Sequence, residues 1–227
     1  MNTGPSGSVQ YARANHTRFL DELQDFLRIP SISTQVAHKE DVERAAAWLH
    51  DHLRAIGFPR VDIMETPNHP IVYASWLEAG EDKPTVLIYG HYDVQPPDPL
   101  NQWRTPPFEP TVVGDDLFAR GASDDKGQTF THIKAIEAFK MTAGRPPVNV
   151  KCLFEGEEEI GSPDLDPFIE AHQELLAADV GLISDTPILG KDLPAIIYAL
   201  RGLAYLEVTV TGPSHDLHSG HYGGAVN

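Results

Sequence analysis

Three apolar segments of this 227-residue chain run into side chains that bind metals or move protons. "VLIYG" is followed by His91 and Asp93, "VKCLFE" by Glu158 and Glu159, and "VGLIS" by Asp185, while Asp124 and Asp125 stand just before a predicted helix. The run "LFEGEEEIGS" sharpens the question, because two like charges about 4 Å apart repel by roughly 4 kcal/mol at an effective dielectric near 20. Water relieves that repulsion on a solvated tip; a bound cation relieves it better and makes the cluster a site.

The residue types fit a pair of metal ions. Imidazole nitrogen with carboxylate oxygen suits zinc, manganese or cobalt, and the absence of thiolate argues against a closed structural zinc site. Two ions need a bridging carboxylate, terminal ligands on each side, and a further carboxylate free to take a proton from water. The adjacent Glu158 and Glu159 can divide those duties. The His91-x-Asp93 spacing puts both side chains on one face of an extended segment, where Asp93 can hold the second ring nitrogen of His91.

These residues need elements to carry them. Phe19, Leu20, Leu23, Phe26 and Leu27 recur at helical spacing up to Pro30, and Val42 to Ile56 make a second amphipathic helix closed by Gly57. Strands are predicted at "VDIME", "IVYASW", "TVLIYG", "VNVKCLFE", "VGLIS" and "AIIYAL", with a hairpin at "TVVGDDLFAR". Further helices are predicted from about Gln128 to Met141 and Leu165 to Ala177; the first dozen residues read as a loose tail. The alternation is that of an α/β protein with a largely parallel, mixed sheet flanked by helices, whose ligands bind beyond the carboxyl ends of the strands. Near Arg201 the texture changes to "LAYLEVTVTG", which alternates like a half-exposed antiparallel strand.

Composition bounds the function. Lys+Arg 17 against Asp+Glu 33 gives a net charge of −16, which argues against nucleic acid or an anionic membrane as partner. No apolar stretch approaches the roughly eighteen residues of a membrane span, and the N-terminus has no apolar signal core, so a cytoplasmic location is expected. The single cysteine, Cys152, lies in an apolar strand and has no disulfide partner within the chain.

In this order, "GHYDVQP", "RGASDDKG", "EGEEEIGS" and "SDT" resemble the metallopeptidase family that includes carnosinase and related cytosolic dipeptidases. Acetylornithine deacetylase and succinyl-diaminopimelate desuccinylase are its more distant members. The resemblance spans about Phe19 to Asn227, and "WRTPPFEP" and "DLHSGHYGG" are similar to the dipeptidase branch. It implies a zinc-peptidase-like catalytic domain, of which residues 1–201 are the N-terminal part. Residues 202–227 would begin an inserted α+β lid that forms a homodimer.

Motif by motif, the resemblance implies two divalent ions, zinc first and manganese or cobalt as alternatives. His91 and Asp185 would bind one ion, Glu159 the other, and Asp124 both; Glu158 would be the general base. His218 would be the lid histidine lent across the dimer to the substrate's oxyanion. Asp125 is the alternative bridge, but the D-x-K-G register favours Asp124, leaving Asp125 and Lys126 as solvated or loop-ordering residues and Glu157 as a solvated neighbour. The implied reaction is hydrolysis of a dipeptide, with N-acyl amino acid deacylation or an inactive truncated product as alternatives. The family's last metal ligand, a histidine far downstream, has no counterpart before Asn227, so the chain reads as an N-terminal fragment expected to be inactive alone. His215, His218 and His221 at steps of three could form a metal cluster, but the glycines beside them favour a mobile substrate loop.

Overall fold

The computed structural model describes residues 5–190, 193 and 195–225. Its helices are α1 (Pro5–Ala14), α2 (His16–Leu27), α3 (Lys39–Ile56), α4 (Lys126–Ala143), α5 (Leu165–Ala171), α6 (Gln173–Leu176) and α7 (Ser219–Tyr222). Its strands are β1 (Arg60–Met64), β2 (Ile71–Trp76), β3 (Thr85–His91), β4 (Thr111–Val113), β5 (Asp116–Phe118), β6 (Asn149–Glu155) and β7 (Val180–Ile183). Five strands form one sheet in the order β1-β2-β6-β3-β7, and β4 and β5 form the separate hairpin.

The sheet is mixed. β1–β2 and β2–β6 are antiparallel, whereas β6–β3 and β3–β7 are parallel. Successive strand residues point to opposite faces, and both faces are covered. Val72, Ala74, Ile88, Cys152 and Phe154 pack with Val42, Leu49 and Leu53 of α3 and Ile133 of α4. On the other side Ile71, Tyr73 and Leu153 pack with Phe168 and Leu176. Covered on both faces, β6 is buried throughout, including Lys151, whose amine donates to the carbonyls of Leu175 and Ala177 at 2.6 and 2.7 Å. α3 ends where Gly57 takes a left-handed φ of 98°, the C-terminal cap expected from its sequence.

Two local expectations change. The N-terminal segment is no loose tail but the helix α1, anchored to α4 by Ser8 Oγ against Thr142 Oγ1 at 2.9 Å and by Tyr11 Oη donating to Glu137 at 3.1 Å. Its own periodicity is weak, so tertiary contacts make the helix. The helix expected over Leu165 to Ala177 breaks at His172 into α5 and α6.

The chain divides into two compact units, Met1–Pro187 and Ile188–Asn227. In the second, the strands expected at "AIIYAL" and "LAYLEVTVTG" are not formed, and Ile196, Tyr198, Leu203, Tyr205 and Val208 are exposed. A strand is held by the ladder of a partner, and neither segment has one among the described residues. The element found there is α7, a single turn.

In the first unit a buried charge network joins α2, α3 and α4. Lys134 Nζ lies 2.7 Å from both Glu137 Oε2 and His52 Nε2 and pairs with Glu22, while Arg18 pairs with Glu22 and Glu137. Glu22, His52 and Glu137 have the ligand types of a metal group, but the Lys134 ammonium already supplies the cation among them. His52 stacks on Trp48 at 4.6 Å between ring centroids. Burial first, then the Lys134 charge, lowers its pKa to about 4, with Glu22 and Glu137 acting in the opposite sense.

An unfolded histidine titrates near 6.5. Between that pH and the folded value of about 4, the unfolded chain therefore binds a proton that the folded chain refuses. The contribution is complete above about pH 6.5 and is lost as pH falls through the window, by roughly 3 kcal/mol at most. Urea unfolding of the native chain and His52→Gln should thus show a constant difference above pH 7. Below it, the native chain should lose stability relative to the variant. A difference that stays constant down to pH 4 would contradict this reading of His52.

Candidate metal centre

The parallel half of the sheet sets the spacing of the centre. His91 ends β3 opposite Glu155, the last residue of β6, and Tyr89 pairs with Ile183 of β7. His91 and Asp185 each lie two residues beyond that second pair and emerge side by side, His91 Nε2 being 3.7 Å from Asp185 Oδ2. Beyond β6 the chain turns through Gly156 into a 3₁₀ turn, Glu158–Ile160, and His91 Nε2 is 4.0 Å from Glu158 Oε2. Asp124 comes from the segment before α4 and lies closest, with Oδ1 3.0 Å from His91 Nε2. Gly90 lets the start of α4 come close to β3: a Cβ there would lie 2.1 Å from Thr129 Oγ1 and 2.7 Å from Asp125 Oδ2.

The ligand atoms of His91, Asp124 and Asp185 all lie within 4.8 Å of one another. His91 is fully buried, whereas the Asp124 and Asp185 side chains are 55% and 31% exposed, so the group opens to solvent on its carboxylate side. Asp125 points elsewhere. It is buried, accepting from the His91 backbone N–H at 3.2 Å and from Thr129 Oγ1 at 3.0 Å. Glu159 is not in the three-residue group; Gln95 Nε2 donates to its Oε2 at 2.7 Å.

Asp93 ties the centre together from behind. It is fully buried, and its Oδ1 lies 3.3 Å from His91 Nδ1, which is also 3.1 Å from the Asp93 carbonyl. Its carboxylate accepts from Ser33 Oγ at 2.6 Å and from the backbone N–H groups of Glu158 and Glu159 at 3.3 and 3.1 Å. A proton kept on Nδ1 by these acceptors leaves Nε2 facing the other carboxylates, the orientation of a metal-ligating imidazole.

The electrostatics match. Burial alone would lower the His91 pKa, but the Asp93 hydrogen bond and charge, with Asp125 and Glu158, raise it to about 10. The pKa values of Glu158, Glu159 and Asp185 are pushed up, first by burial and then by neighbouring carboxylates. The site favours positive charge, and its oxygen and imidazole donors without thiolate fit a zinc-, manganese- or cobalt-type divalent ion.

Sequence reading missed several supports. Glu157, expected to be solvated, is only 2% exposed. Its carboxylate accepts from the His69 N–H at 2.7 Å, the Asp164 N–H at 3.2 Å and Thr66 Oγ1 at 3.4 Å, clamping the loop before β2 to the 3₁₀ turn. Of the two roles expected for Lys126, solvated or loop-ordering, its full burial leaves the second. Glu155 is buried too, taking hydrogen bonds from Tyr89 Oη and, at 2.9 Å, from Ser162 Oγ. His218 lies in the second unit, where it is exposed and caps α7, its Nδ1 accepting from the Gly220 N–H at 3.1 Å. No group containing His215, His218 and His221 has metal-ligand spacing among the described residues, although His218 and His221 lie 3.3 Å apart at Nδ1.

Residues 87–216 match the model of peptidase family M20/M25/M40, a stretch that contains His91, Asp124, Glu158, Glu159 and Asp185, and the chain belongs to that family. Its relatives narrow the neighbourhood. The chain is 41% identical over 223 residues to the Cys-Gly metallodipeptidase dug1 of Schizosaccharomyces pombe, a match covering 92% of this chain and 46% of the relative. It is 34% identical over 231 residues to the Beta-Ala-His dipeptidase of Homo sapiens, covering 96% and 46%. Among solved structures, the dipeptidase Dug1p of Saccharomyces cerevisiae superposes with a TM-score of 0.80 at 30% identity, over 100% of this chain and 50% of that one. Human carnosine dipeptidase 1 gives 0.76 at 30% identity, over 96% and 48%. The chain spans about half the length of the curated relatives it matches.

The buried clamp makes one consequence measurable. Glu157→Ala removes a charged acceptor from two backbone N–H groups, and hydrogen bonds to charged groups contribute about 1.5–3 kcal/mol. Urea unfolding should show a loss of about 2–3 kcal/mol. A loss below roughly 0.5 kcal/mol, the range of an ordinary surface substitution, would return Glu157 to the solvated role.

Proposed function

We propose that this chain carries the metal-binding and proton-transferring residues of a dipeptidase. The observation that carries the reading is the convergence of Asp124, Asp185 and Glu158 on His91 Nε2 while Asp93 holds Nδ1. His91, Asp124 and Asp185 would hold one divalent ion; Asp124 and Glu159 would contribute to a second, zinc being the first candidate. Bound there, such ions lower the pKa of water and polarise the scissile carbonyl.

Glu158 takes the proton of the attacking water and returns it to the leaving amine. Its pKa is raised by burial and then by Asp185, Asp93 and Asp124 against the opposing effect of His91, the direction that suits a carboxylate which both accepts and donates a proton. Asp93 keeps the imidazole oriented through the cycle. We assign His218 to the substrate's developing oxyanion, lent across a homodimer, on the motif resemblance of "DLHSGHYGG". The relatives' names, Cys-Gly and Beta-Ala-His dipeptidase, favour a dipeptide over an N-acyl amino acid. No described helix is long and apolar enough to cross a membrane; a cytoplasmic location accompanies the proposal.

Substrate class is tested by amine release from Cys-Gly and β-alanyl-histidine against N-acetyl and N-succinyl amino acids, using the longest form of the protein that carries this chain. Dipeptide turnover is expected; turnover confined to the acylated substrates would overturn the assignment. In the same protein Glu158→Gln should retain metal and lose about 10²–10⁴-fold in rate, and a near-native rate would remove Glu158 as the base. Metal analysis after dialysis separates the aspartates. Asp124→Asn should lower metal content and Asp125→Asn should leave it nearly intact; the reverse pattern would move the ligand role to Asp125.

A further inference from the structure

Three of the loops around the centre carry its chemistry: His91 to Asp93 at the end of β3, Asp124 before α4, and the 3₁₀ turn Glu158–Ile160. The first and third lie at or beyond the last residues that the sheet pairs, and Asp124 Oδ1 reaches within 3.0 Å of His91 Nε2. Behind them runs Phe26–Ser33, the end of α2 and the stretch after it. Phe26, Leu27, Ile29, Ser31, Ile32 and Ser33 in it are buried.

This stretch makes a polar contact with each side of the centre. Ser31 Oγ donates to the Tyr92 carbonyl at 2.6 Å, and the Val94 N–H donates to the Ser31 carbonyl at 2.9 Å, fixing the chain on both sides of Asp93. Ser33 Oγ donates to Asp93 Oδ2, the carboxylate that also holds the backbone of Glu158 and Glu159. Two residues after Asp124, Lys126 Nζ donates to the carbonyls of Phe26 at 3.2 Å and Ile29 at 2.8 Å and lies 4.7 Å from the centroid of the Phe26 ring. Pro30 has no N–H to continue the helix onto the Phe26 carbonyl, so the Lys126 amine meets an acceptor at the end of α2.

A buried lysine amine is a costly way to fill space, because its polar head gives up water and regains only two carbonyl acceptors. An apolar side chain would pack there without that cost but could not tie the Asp124 segment to α2. We propose that Phe26–Ser33 is the rear bracket of the metal centre, with Lys126 positioning Asp124 and Ser33 positioning Asp93 and, through it, His91 and the Glu158–Glu159 backbone. The inference rests on the metal-centre reading above, and names residues that touch no ligand themselves.

The test compares the native chain with Lys126→Met, Ser33→Ala and Ser33→Thr by calorimetric zinc titration, urea unfolding, and amide exchange at 91–94, 121–126 and 157–161. Lys126→Met and Ser33→Ala should each weaken zinc binding by about 10–100-fold, the usual effect of removing a partner behind a ligand. Exchange should quicken in the loop each residue holds while the urea midpoint stays near native, and Ser33→Thr, which keeps the hydroxyl, should restore binding. Affinity within twofold of native in both variants would overturn the bracket, as would a loss that tracks the urea midpoint. Should the native chain bind no zinc, the metal reading itself fails, and exchange then decides: quickening confined to these loops supports the bracket, and unchanged exchange overturns it.

Discussion

The carboxylates of Asp93, Asp124, Glu158 and Asp185 converge on one buried imidazole, and their mutual repulsion is the constraint that the surrounding structure has to meet. At an effective dielectric near 20, each pair of like charges about 4 Å apart costs roughly 4 kcal/mol. A chain that held these groups loosely would let them separate into water. Here they are kept together by backbone: strand ends carry His91 and Asp185, and the loops bearing Asp124 and Glu158 are pinned from beneath. The result is an acidic cluster, open to solvent on its carboxylate side, that is suited to a cation.

The support is layered according to burial. At the solvent side are Asp124, Glu158 and Asp185, free to meet an ion or a substrate. Beneath them, Asp93 spends both oxygens on backbone N–H groups and a hydroxyl, which allows a carboxylate in the interior, while Asp125 is bonded through Oδ2 alone and its Oδ1 is buried without a partner. Deeper still, Glu157 and Lys126 hold whole segments to the scaffold. Each layer fixes the one above it, so the orientation of the exposed groups is set by residues that never reach the open side.

The charge network at Lys134 solves the same problem by other means. Glu22, His52 and Glu137 converge as closely as ligands do, but a lysine from α4 and Arg18 from α2 supply the compensating charge from within the chain. The comparison separates two uses of acidic side chains. Where the fold provides its own cation, the cluster cements helices; where it provides an imidazole and an open side, the cluster is suited to an external ion.

By itself, the sequence determined the long periodic elements and which chemistry-bearing residue types stand at the strand ends. α3, β3, β6 and the hairpin were legible because burial on one or both faces imposes a period on the residues. The placement of His91, Asp124, Glu158 and Asp185 was legible because strand ends and a helix start bring such residues to one rim. Tertiary structure alone decided what depends on contacts between distant residues. α1 is helical because α4 receives it, and residues 195–212 form no strand because alternation without a partner leaves the ladder unmade. Glu157 and Lys126 look like any solvated charges in a polar run, and only the folded chain brings backbone donors to one and carbonyls to the other. Ser33 and Asp93 are 60 residues apart, and local pattern carries no information about that bond, since a hydrogen bond across the fold leaves no period in the chain.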